Sequence, residues 1–214
     1  MPKTKPHRRE ENRLHQLGHK HVAGVDEAGR GAWAGPIVAG AVILDKNFAP
    51  KIVNDSKKLT KKQRQKMFVH IARHAVSWSV AVIPAEEIDR LGIQDANRVA
   101  LERAVHRLHV KPHAVLVDAM PISLGRTKSK SIVHGDAKVL SIAAASIVAK
   151  VVRDSLMEQE SNRFPLHAFH QHKGYGTARH AAALKKYGIT PLHRRSFAPV
   201  ARTIEHMNRH IQVR

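Results

Sequence analysis

The most informative part of the sequence is VAGVDEAGRGAWAGPIVAGAVIL, residues 22–44. It contains two apolar runs, 22–25 and 37–44, which are separated by a stretch rich in glycine and turn-forming residues at 28–36. Short apolar runs bounded by turn residues are typical of β-strands. The stretch therefore predicts a hairpin-like pair of strands with an unusually glycine-rich connection.

Further strands and helices are predicted on the C-terminal side of this pair. They are a strand of period two around residues 77–82, a helix over 61–74 capped by Thr60, an amphipathic helix over 95–109, a fully buried strand at 114–117 and a helix capped by Thr177 that stops at Gly188. Strands first, then strands alternating with helices, then helices alone predict a mixed α/β or α+β fold.

The segment GDAKVLSIAAASIVAKVVRD, residues 135–154, is apolar on nearly every face and predicts one long buried helix capped by Asp136. Asp154 comes five turns after Asp136 and would lie roughly 27 Å away along an unbroken helix, at ~1.5 Å per residue. The two carboxylates would then be too far apart to share a site. Asp154 is interpreted instead as a structural ion pair with Arg153 or as a helix-end residue.

Three regions are predicted along the chain. Residues 1–21 form a basic N-terminal arm, interpreted as a mobile tail that is attracted to phosphates. Residues 22–162 form the core, and residues 163–214, rich in Gly, His and Pro at their start, form a helical C-terminal extension.

The charge of the chain indicates a polyanionic partner. Lys and Arg total 37 against 17 Asp and Glu, a net charge of +20, and 17 His could add charge in mild acid. No apolar run reaches the ~18 residues of a membrane helix, so a membrane protein is not expected. The absence of Cys excludes disulfides and thiol catalysis and fits a reducing cytoplasm. The composition thus predicts a cytoplasmic protein whose partner is nucleic acid or a membrane surface, with a merely solvated basic surface as the alternative.

Four acidic residues of this basic chain lie beside apolar segments. Asp26 and Glu27 follow the apolar run 22–25, Asp118 closes the run AVLV, and Asp136 heads the apolar helix. A buried carboxylate is costly unless it is paired, hydrogen-bonded or bound to metal. Oxygen ligands without His or Cys favour Mg²⁺ or Mn²⁺. A metal-dependent reaction on nucleic acid is therefore predicted.

Each of these residues also has an ordinary alternative role. Asp136 can simply cap a helix, Asp118 can be a turn residue, and the pair at 26–27 can bind Arg30. Spacing alone cannot bring the four together. For the whole chain, the alternatives are a non-catalytic basic RNA- or DNA-binding protein and a different nuclease of similar fold, such as a junction resolvase or transposase.

Several ordered motifs carry a resemblance to a known family. They are VAGVDEAGRGAWAGPIVAGAVIL at 22–44, DSKKL at 55–59, VLVDAM at 115–120, GDAKVLSIAAASIVAKVVRD at 135–154, HKGYGT at 172–177 and HRRSFAPV at 193–200. Together they resemble ribonuclease HII over residues 22–200. The resemblance implies a ribonuclease-H-like core with a five-stranded mixed sheet flanked by helices, followed by a helical C-terminal extension.

The resemblance also implies a reaction. The family cuts the RNA strand of RNA–DNA hybrids and nicks 5′ to ribonucleotides embedded in duplex DNA, leaving 3′-hydroxyl and 5′-phosphate ends. It uses Mn²⁺ or Mg²⁺, two ions per site during catalysis. The catalytic and metal-binding residues that correspond are Asp26, Glu27, Asp118 and Asp136.

Substrate-binding residues follow from the same resemblance. Gly29, Arg30 and Gly31 would meet the ribose 2′-hydroxyl, Tyr175 would stack on the next sugar, and Lys57 would be a further contact. Trp33 and His134 depart from the family pattern and could alter substrate packing and a phosphate contact, respectively. A monomer is expected, and the C-terminal IEHMNRHIQVR lacks the paired aromatics of a sliding-clamp peptide.

Overall fold

The computed structural model describes residues 5–48 and 59–211. The chain divides into two compact units, each assembled from segments that are distant in sequence. Unit 1 comprises Met1–Ala28, Val38–Val82 and Asn97–Val151, and unit 2 comprises Gly29–Ile37, Ile83–Ala96 and Val152–Arg214. The division at residues 21 and 162 that was expected from the sequence stays a prediction.

A five-stranded mixed sheet belongs to unit 1, apart from the end residues Ile37 and Ile83. Its strands are β1 (Val22–Ala28), β2 (Ile37–Leu44), β3 (Ala75–Ile83), β4 (Ala114–Asp118) and β5 (Lys128–Ile132). The order across the sheet is β3-β2-β1-β4-β5; β1 runs antiparallel to β2 and parallel to β4, and β4 runs parallel to β5. The predicted hairpin, the buried strand ending at Asp118 and the mixed sheet are confirmed.

The register of the sheet brings two acidic positions to one end of neighbouring parallel strands. Val25 pairs with Val117, so that Asp26 and Asp118 each come one residue later in adjacent strands. On its other side, Asp26 pairs with Gly40 of β2. The central strand of the sheet thus carries the acidic pair Asp26–Glu27.

Helices account for most of the remaining described chain. They are α1 (Arg9–Gln16), α2 (Lys61–His74), α3 (Ala85–Leu91), α4 (Ile93–His106), α5 (Gly135–Lys138), α6 (Leu140–Arg163), a 3₁₀ turn (Pro165–His167), α7 (Phe169–His172), α8 (Ala178–Tyr187) and α9 (Ala198–Ile211). Thr60 caps α2 and Thr177 caps α8, as predicted. None of the helices in the described part of the chain is long and apolar enough to span a membrane.

A hydrophobic core cluster of unit 1 lies where α2 and α6 pack on β2. Its fully or nearly fully buried side chains come from all three elements. Representative members are Val42 and Leu44 of β2, Met67 and Ile71 of α2, and Ile147 and Val148 of α6. Burial of this apolar surface stabilises the packing of the long helix on the sheet.

The long helix does not begin at Asp136, and this prediction is wrong. Val139 is extended (φ −114°, ψ 126°) and separates the four-residue helix α5 from α6. The break is held by His7, whose N–H donates to the Lys138 oxygen (3.0 Å) and whose oxygen accepts from the Leu140 N–H (3.2 Å). Asp136 therefore lies inside α5, and the separation estimated along an unbroken helix does not apply.

The basic N-terminal arm was expected to be mobile, and this is wrong for residues 9–16, whereas its attraction to phosphates stays a prediction. These residues form α1, and Glu11 is only 3% exposed. The Glu11 Oε1 accepts a hydrogen bond from the Ser141 N–H at 2.8 Å, in the first turn of α6, where a negative charge is stabilising. Leu14 packs against Val22, Leu116, Val139 and Ile142. The arm thus stabilises the start of α6.

Two glycines let the backbone of α6 contact the sheet directly. A Cβ atom on Gly24 of β1 would lie 2.1 Å from the Ser141 carbonyl carbon. A Cβ atom on Gly40 of β2 would lie 2.6 Å from the Ala145 oxygen. Any side chain at either position would push the helix away from the strands.

Gly24→Ala is therefore expected to destabilise the protein strongly, by about 1–3 kcal/mol or more, because the added methyl group meets helix backbone that cannot move aside. Urea unfolding followed by circular dichroism measures the change. Gly31→Ala is the matched control, since a Cβ there meets nothing within 4 Å. Equal midpoints for Gly24→Ala and wild type would show that the helix does not pack this closely.

Candidate metal centre and substrate turn

Three carboxylates from distant parts of the sequence meet in unit 1. Asp26 on β1, Asp118 at the end of β4 and Asp136 in α5 each offer an oxygen, and these oxygens all lie within 4.8 Å of one another. Asp26 and Asp136 are buried and Asp118 is partly buried. The short helix created by the break at Val139 is what places Asp136 in this cluster.

Backbone donors hold two of these carboxylates in place. The Glu27 N–H donates to Asp26 Oδ1 at 2.8 Å, and the Gly135 N–H donates to Asp118 Oδ1 at 2.7 Å. The Ser146 side chain, on α6, also hydrogen-bonds to Asp26. The cluster is thus oriented by the sheet, by α5 and by the helix that packs on the sheet.

Electrostatic repulsion between the carboxylates favours the binding of a positive charge at the cluster. Burial raises the pKa of Asp26 well above its ordinary value, and the negative charges of Glu27 and Asp118 raise this pKa further. The hydrogen bond from Ser146 lowers it only in part. A bound proton or a bound cation would relieve this repulsion.

The geometry of the cluster fits a small divalent cation. An octahedral ion with oxygens at about 2.1 Å separates neighbouring ligand oxygens by about 3 Å and opposite ones by about 4.2 Å. Oxygens within 4.8 Å of one another need only a small adjustment to reach these separations. The donor set is entirely carboxylate oxygen, which suits Mg²⁺ or Mn²⁺ better than zinc.

Glu27 is the predicted site residue that stands apart. It is partly buried and is not among the three residues whose oxygens converge. Its charge raises the pKa of Asp26, so that its carboxylate lies close enough to act on the cluster. Neighbouring strand residues point to opposite faces of a sheet, which explains why Asp26 and Glu27 do not converge as simply as the sequence suggested. The role of Glu27 stays a prediction.

The predicted substrate residues of unit 2 lie around one buried arginine. Gly29 has φ +93°, and a Cβ there would lie 1.9 Å from Arg153 Nε. The Arg153 guanidinium also lies 5.1 Å from the centroid of the Tyr175 ring. Arg30, the middle residue of the turn, donates to Gln94 Oε1 at 3.1 Å. The Gly29–Gly31 turn and Tyr175 are thus brought to the same arginine, while Lys57 lies outside the described residues.

Arg153 and Arg194 are buried residues whose importance the sequence did not reveal. Both side chains have 0% exposure. Arg153 Nε donates to the Pro36 oxygen (2.9 Å) and Nη2 to the Ala34 oxygen (3.2 Å), so the guanidinium holds loop carbonyls rather than acting only beside Asp154. The sequence offered no signal for burial, because arginine is among the residues most often exposed.

Buried histidines support the turn that carries Tyr175. The Thr190 N–H donates to His193 Nδ1 (2.8 Å), so that His193 Nε2 carries its proton and donates to His180 Nε2 (3.0 Å). His180 Nδ1 then donates to the Tyr175 oxygen (3.0 Å). Burial lowers the pKa of His180 to about 4 and that of His193 to about 3, so both rings are neutral at physiological pH.

Trp33 and His134, the two departures from the family pattern, have different surroundings. Trp33 lies 5.4 Å from the His180 ring, and a Cβ on Gly176 would lie 2.2 Å from the indole. The large ring therefore fills space beside the Tyr175 turn. His134 is exposed, with φ 56°, immediately before α5.

The fold is that of the ribonuclease-H-like class, as comparison with solved structures shows. The ribonuclease H2 of Pyrococcus horikoshii OT3 superposes with a TM-score of 0.76 at 28% identity, covering 88% of this chain and 99% of that chain.

The family is defined by sequence. The family model for Ribonuclease HII matches residues 23–200. Ribonuclease HII of Lactobacillus gasseri is 55% identical over 180 residues, which are 84% of this chain and 72% of that protein. Ribonuclease HII of Acholeplasma laidlawii is 46% identical over 195 residues, 91% of this chain and 96% of that protein. The chain belongs to the ribonuclease HII family and is an enzyme of ribonuclease H type.

Asp26→Asn is expected to raise the unfolding temperature of the metal-free protein by a few degrees. Because the folded-state pKa of Asp26 is raised, its ionised form costs stability at neutral pH, and this cost falls away as the pH drops through that pKa. The increase in unfolding temperature caused by Asp26→Asn should therefore become smaller as the pH falls. Thermal unfolding with chelator at several pH values measures it.

Asp154→Asn is the control for Asp26→Asn, since Asp154 is not in the cluster. Added Mn²⁺ should raise the unfolding temperature of the control and of wild type, but not that of Asp26→Asn. An Asp26→Asn protein that is less stable than wild type in chelator would contradict the repulsion described for the cluster.

Proposed function

We propose that this enzyme is an endonuclease that hydrolyses the RNA strand of RNA–DNA hybrids and nicks 5′ to ribonucleotides embedded in duplex DNA. The products are a 3′-hydroxyl and a 5′-phosphate. The observation that carries the proposal is the convergence of Asp26, Asp118 and Asp136 in a member of this family. A net charge of +20 supports a nucleic-acid substrate, since it attracts the phosphate backbone.

The proposed catalytic and metal-binding residues are Asp26, Glu27, Asp118 and Asp136. They would hold Mg²⁺ or Mn²⁺, two ions per site during catalysis. When bound, such ions activate a water and stabilise the leaving oxygen of an in-line displacement. The carboxylates of Asp26 and Asp118 are already oriented by backbone N–H groups, which lowers the reorganisation that binding requires.

We propose that residues of unit 2 select the ribonucleotide. A metal site alone recognises a phosphate, and both strands of any duplex carry phosphates. Gly29, Arg30 and Gly31 would meet the 2′-hydroxyl, which distinguishes RNA from DNA at one position. Tyr175 would stack on the following sugar, and Lys57 would be a further substrate contact. We also propose that the enzyme acts in the cytoplasm as a monomer.

The proposal is tested by incubating the enzyme with duplex DNA that contains one ribonucleotide, in Mg²⁺, in Mn²⁺ or in chelator. Cleavage is expected on the 5′ side of the ribonucleotide, only with metal. Asp136→Asn should lose at least about 100-fold in kcat, since it removes a charge that stabilises the cation. Asp154→Asn is the matched control and should retain activity.

Other outcomes would support the alternative functions. Binding of duplexes without cleavage in either metal would favour a non-catalytic nucleic-acid-binding protein. Equal cleavage of an all-DNA duplex would favour a nuclease that does not select the 2′-hydroxyl. Asp136→Asn with the turnover of wild type would remove that residue from the site.

Tyr175→Ala tests the proposed role of Tyr175 in recognising the sugar that follows the ribonucleotide. It should reduce kcat/KM for a single embedded ribonucleotide about tenfold more than kcat/KM for a long RNA–DNA hybrid, where no junction has to be recognised. The measurement is the ratio of the two kcat/KM values in one buffer. Tyr175→Phe keeps the ring and is expected to keep the ratio. An unchanged ratio in Tyr175→Ala would make Tyr175 a turn residue only.

A further inference from the structure

Arg194, between α8 and α9 in unit 2, hydrogen-bonds to the loop that contains the Gly-Arg-Gly turn. Its guanidinium donates to the Gly29 oxygen at 2.7 Å and to the Arg30 oxygen at 2.8 Å. It donates twice more to the Gly35 oxygen, at 2.9 and 3.0 Å. All three nitrogens of the side chain are thus used on backbone oxygens of one loop.

These hydrogen bonds fix the direction of the turn's N–H groups. In a planar trans peptide the N–H and C=O bonds point in opposite directions, and the described residues contain no cis peptide. Because the oxygens of Gly29 and Arg30 point toward Arg194, the N–H groups of Arg30 and Gly31 point away from it. Two neighbouring backbone donors are therefore presented on the far side of the turn.

Arg153 holds the remainder of the same loop through the oxygens of Ala34 and Pro36. Burial, together with the positive charge of Arg153, lowers the pKa of Arg194 to about 9. Burying two cations side by side is costly, and smaller neutral donors would suffice if the loop only had to pack. A costly arrangement of this kind is a feature of sites whose conformation serves function.

The segment that carries Arg194 is itself anchored on both sides. The Arg194 N–H donates to the Trp33 oxygen at 2.9 Å. On the C-terminal side, Asp89 of α3 accepts from the N–H groups of Arg195 (2.8 Å) and Ser196 (3.0 Å) and from the Ser196 hydroxyl. The guanidinium is therefore held at a fixed position relative to the loop.

We propose that Arg194 is a positioning residue for ribonucleotide selection: it orients the Gly29-Arg30-Gly31 turn so that the N–H groups of Arg30 and Gly31 face the ribose. The inference rests on the proposed function, because it takes the turn to be the part that meets the sugar. Arg194 acts through the turn and does not touch the substrate, since its side chain is fully buried and gives four of its five N–H donors to loop oxygens.

A purely structural role for Arg194 would give a different pattern of effects. Loss of packing would lower stability and weaken activity and duplex binding together. Loss of positioning would impair the reaction at a ribonucleotide while leaving binding to the phosphates of ordinary DNA intact. The two roles are therefore separated by comparing a ribonucleotide substrate with an all-DNA competitor.

The experiment uses Arg194→Lys in the full chain. Lysine keeps the charge but offers one ammonium group in place of the planar fork, and cannot hold the three oxygens in the same geometry. We expect kcat/KM for a duplex with one ribonucleotide to fall about 10- to 100-fold. The inhibition constant of the same duplex made entirely of DNA should change less than about twofold. Arg195→Lys is the matched control, because Arg195 is exposed, and it should leave both values unchanged.

Asp89→Asn provides a milder variant, which decides the question if Arg194→Lys does not fold. Asp89→Asn weakens the hydrogen bonds that hold Arg195 and Ser196. A smaller loss of kcat/KM for the duplex with one ribonucleotide is therefore expected, about threefold to tenfold, again without a matching change in the inhibition constant of the all-DNA duplex. Glu86→Gln, an exposed position on the same helix, is its control. Circular dichroism and the unfolding temperature show which variants are folded.

Two outcomes would overturn the inference. One is a folded Arg194→Lys, or failing that Asp89→Asn, with the kcat/KM of wild type on the ribonucleotide duplex. The other is an equal loss toward the ribonucleotide substrate and the DNA competitor, which indicates a structural role. Failure of the proposed function looks different, since wild type itself would then not cut at the ribonucleotide.

Discussion

The direct contact of helix α6 with the backbone of β1 and β2 is the constraint on which unit 1 depends. Gly24 and Gly40 leave room for the helix backbone at Ser141 and Ala145, so the two elements approach without side chains between them. This approach brings Ser146 within hydrogen-bonding reach of Asp26, on the strand beneath. The helix that stabilises the sheet therefore also orients a carboxylate of the candidate metal centre.

The start of α6 is equally important for the centre. The interruption at Val139 allows α5 to turn separately, which places Asp136 beside Asp118 and lets the Gly135 N–H hold the Asp118 carboxylate. An unbroken helix would fix the direction of Asp136 by the axis of α6. The cluster thus requires both a helix packed closely on the sheet and a break just before that helix.

Local sequence patterns predicted the strands and most helices because the patterns are themselves local. Short apolar runs predicted β1, β2 and β4, and the caps Thr60 and Thr177 predicted the starts of two helices. The break at Val139 was not predictable in this way. The hydrogen bonds at the break come from His7, more than a hundred residues earlier. The apolar pattern of 135–154 gives no information about a partner so distant in the sequence. The same contact explains why the basic arm is ordered at α1.

The site shows a similar division between what was predictable and what was not. Acidic residues beside apolar segments were identifiable as costly, but their convergence depends on the register between β1 and β4 and on the break before α6. Arg153 and Arg194 were visible only as parts of motifs. Their role depends on loop oxygens that point inward, and a sequence pattern does not report the direction of a peptide plane.

The hydrogen-bonded chain that runs through His193 and His180 to the Tyr175 oxygen has a fixed direction. Its hydrogen bonds all run one way, from the Thr190 N–H through His193 and His180 to the Tyr175 oxygen. Reversal would require both rings to exchange tautomers and both backbone ends to change roles, which a peptide N–H and a carbonyl cannot do. With pKa values of about 3 and about 4, neither ring gains a proton on mild acidification. These histidines therefore contribute nothing to the charge expected from the composition in mild acid, and serve instead as fixed spacers whose direction is set by the chain at either end.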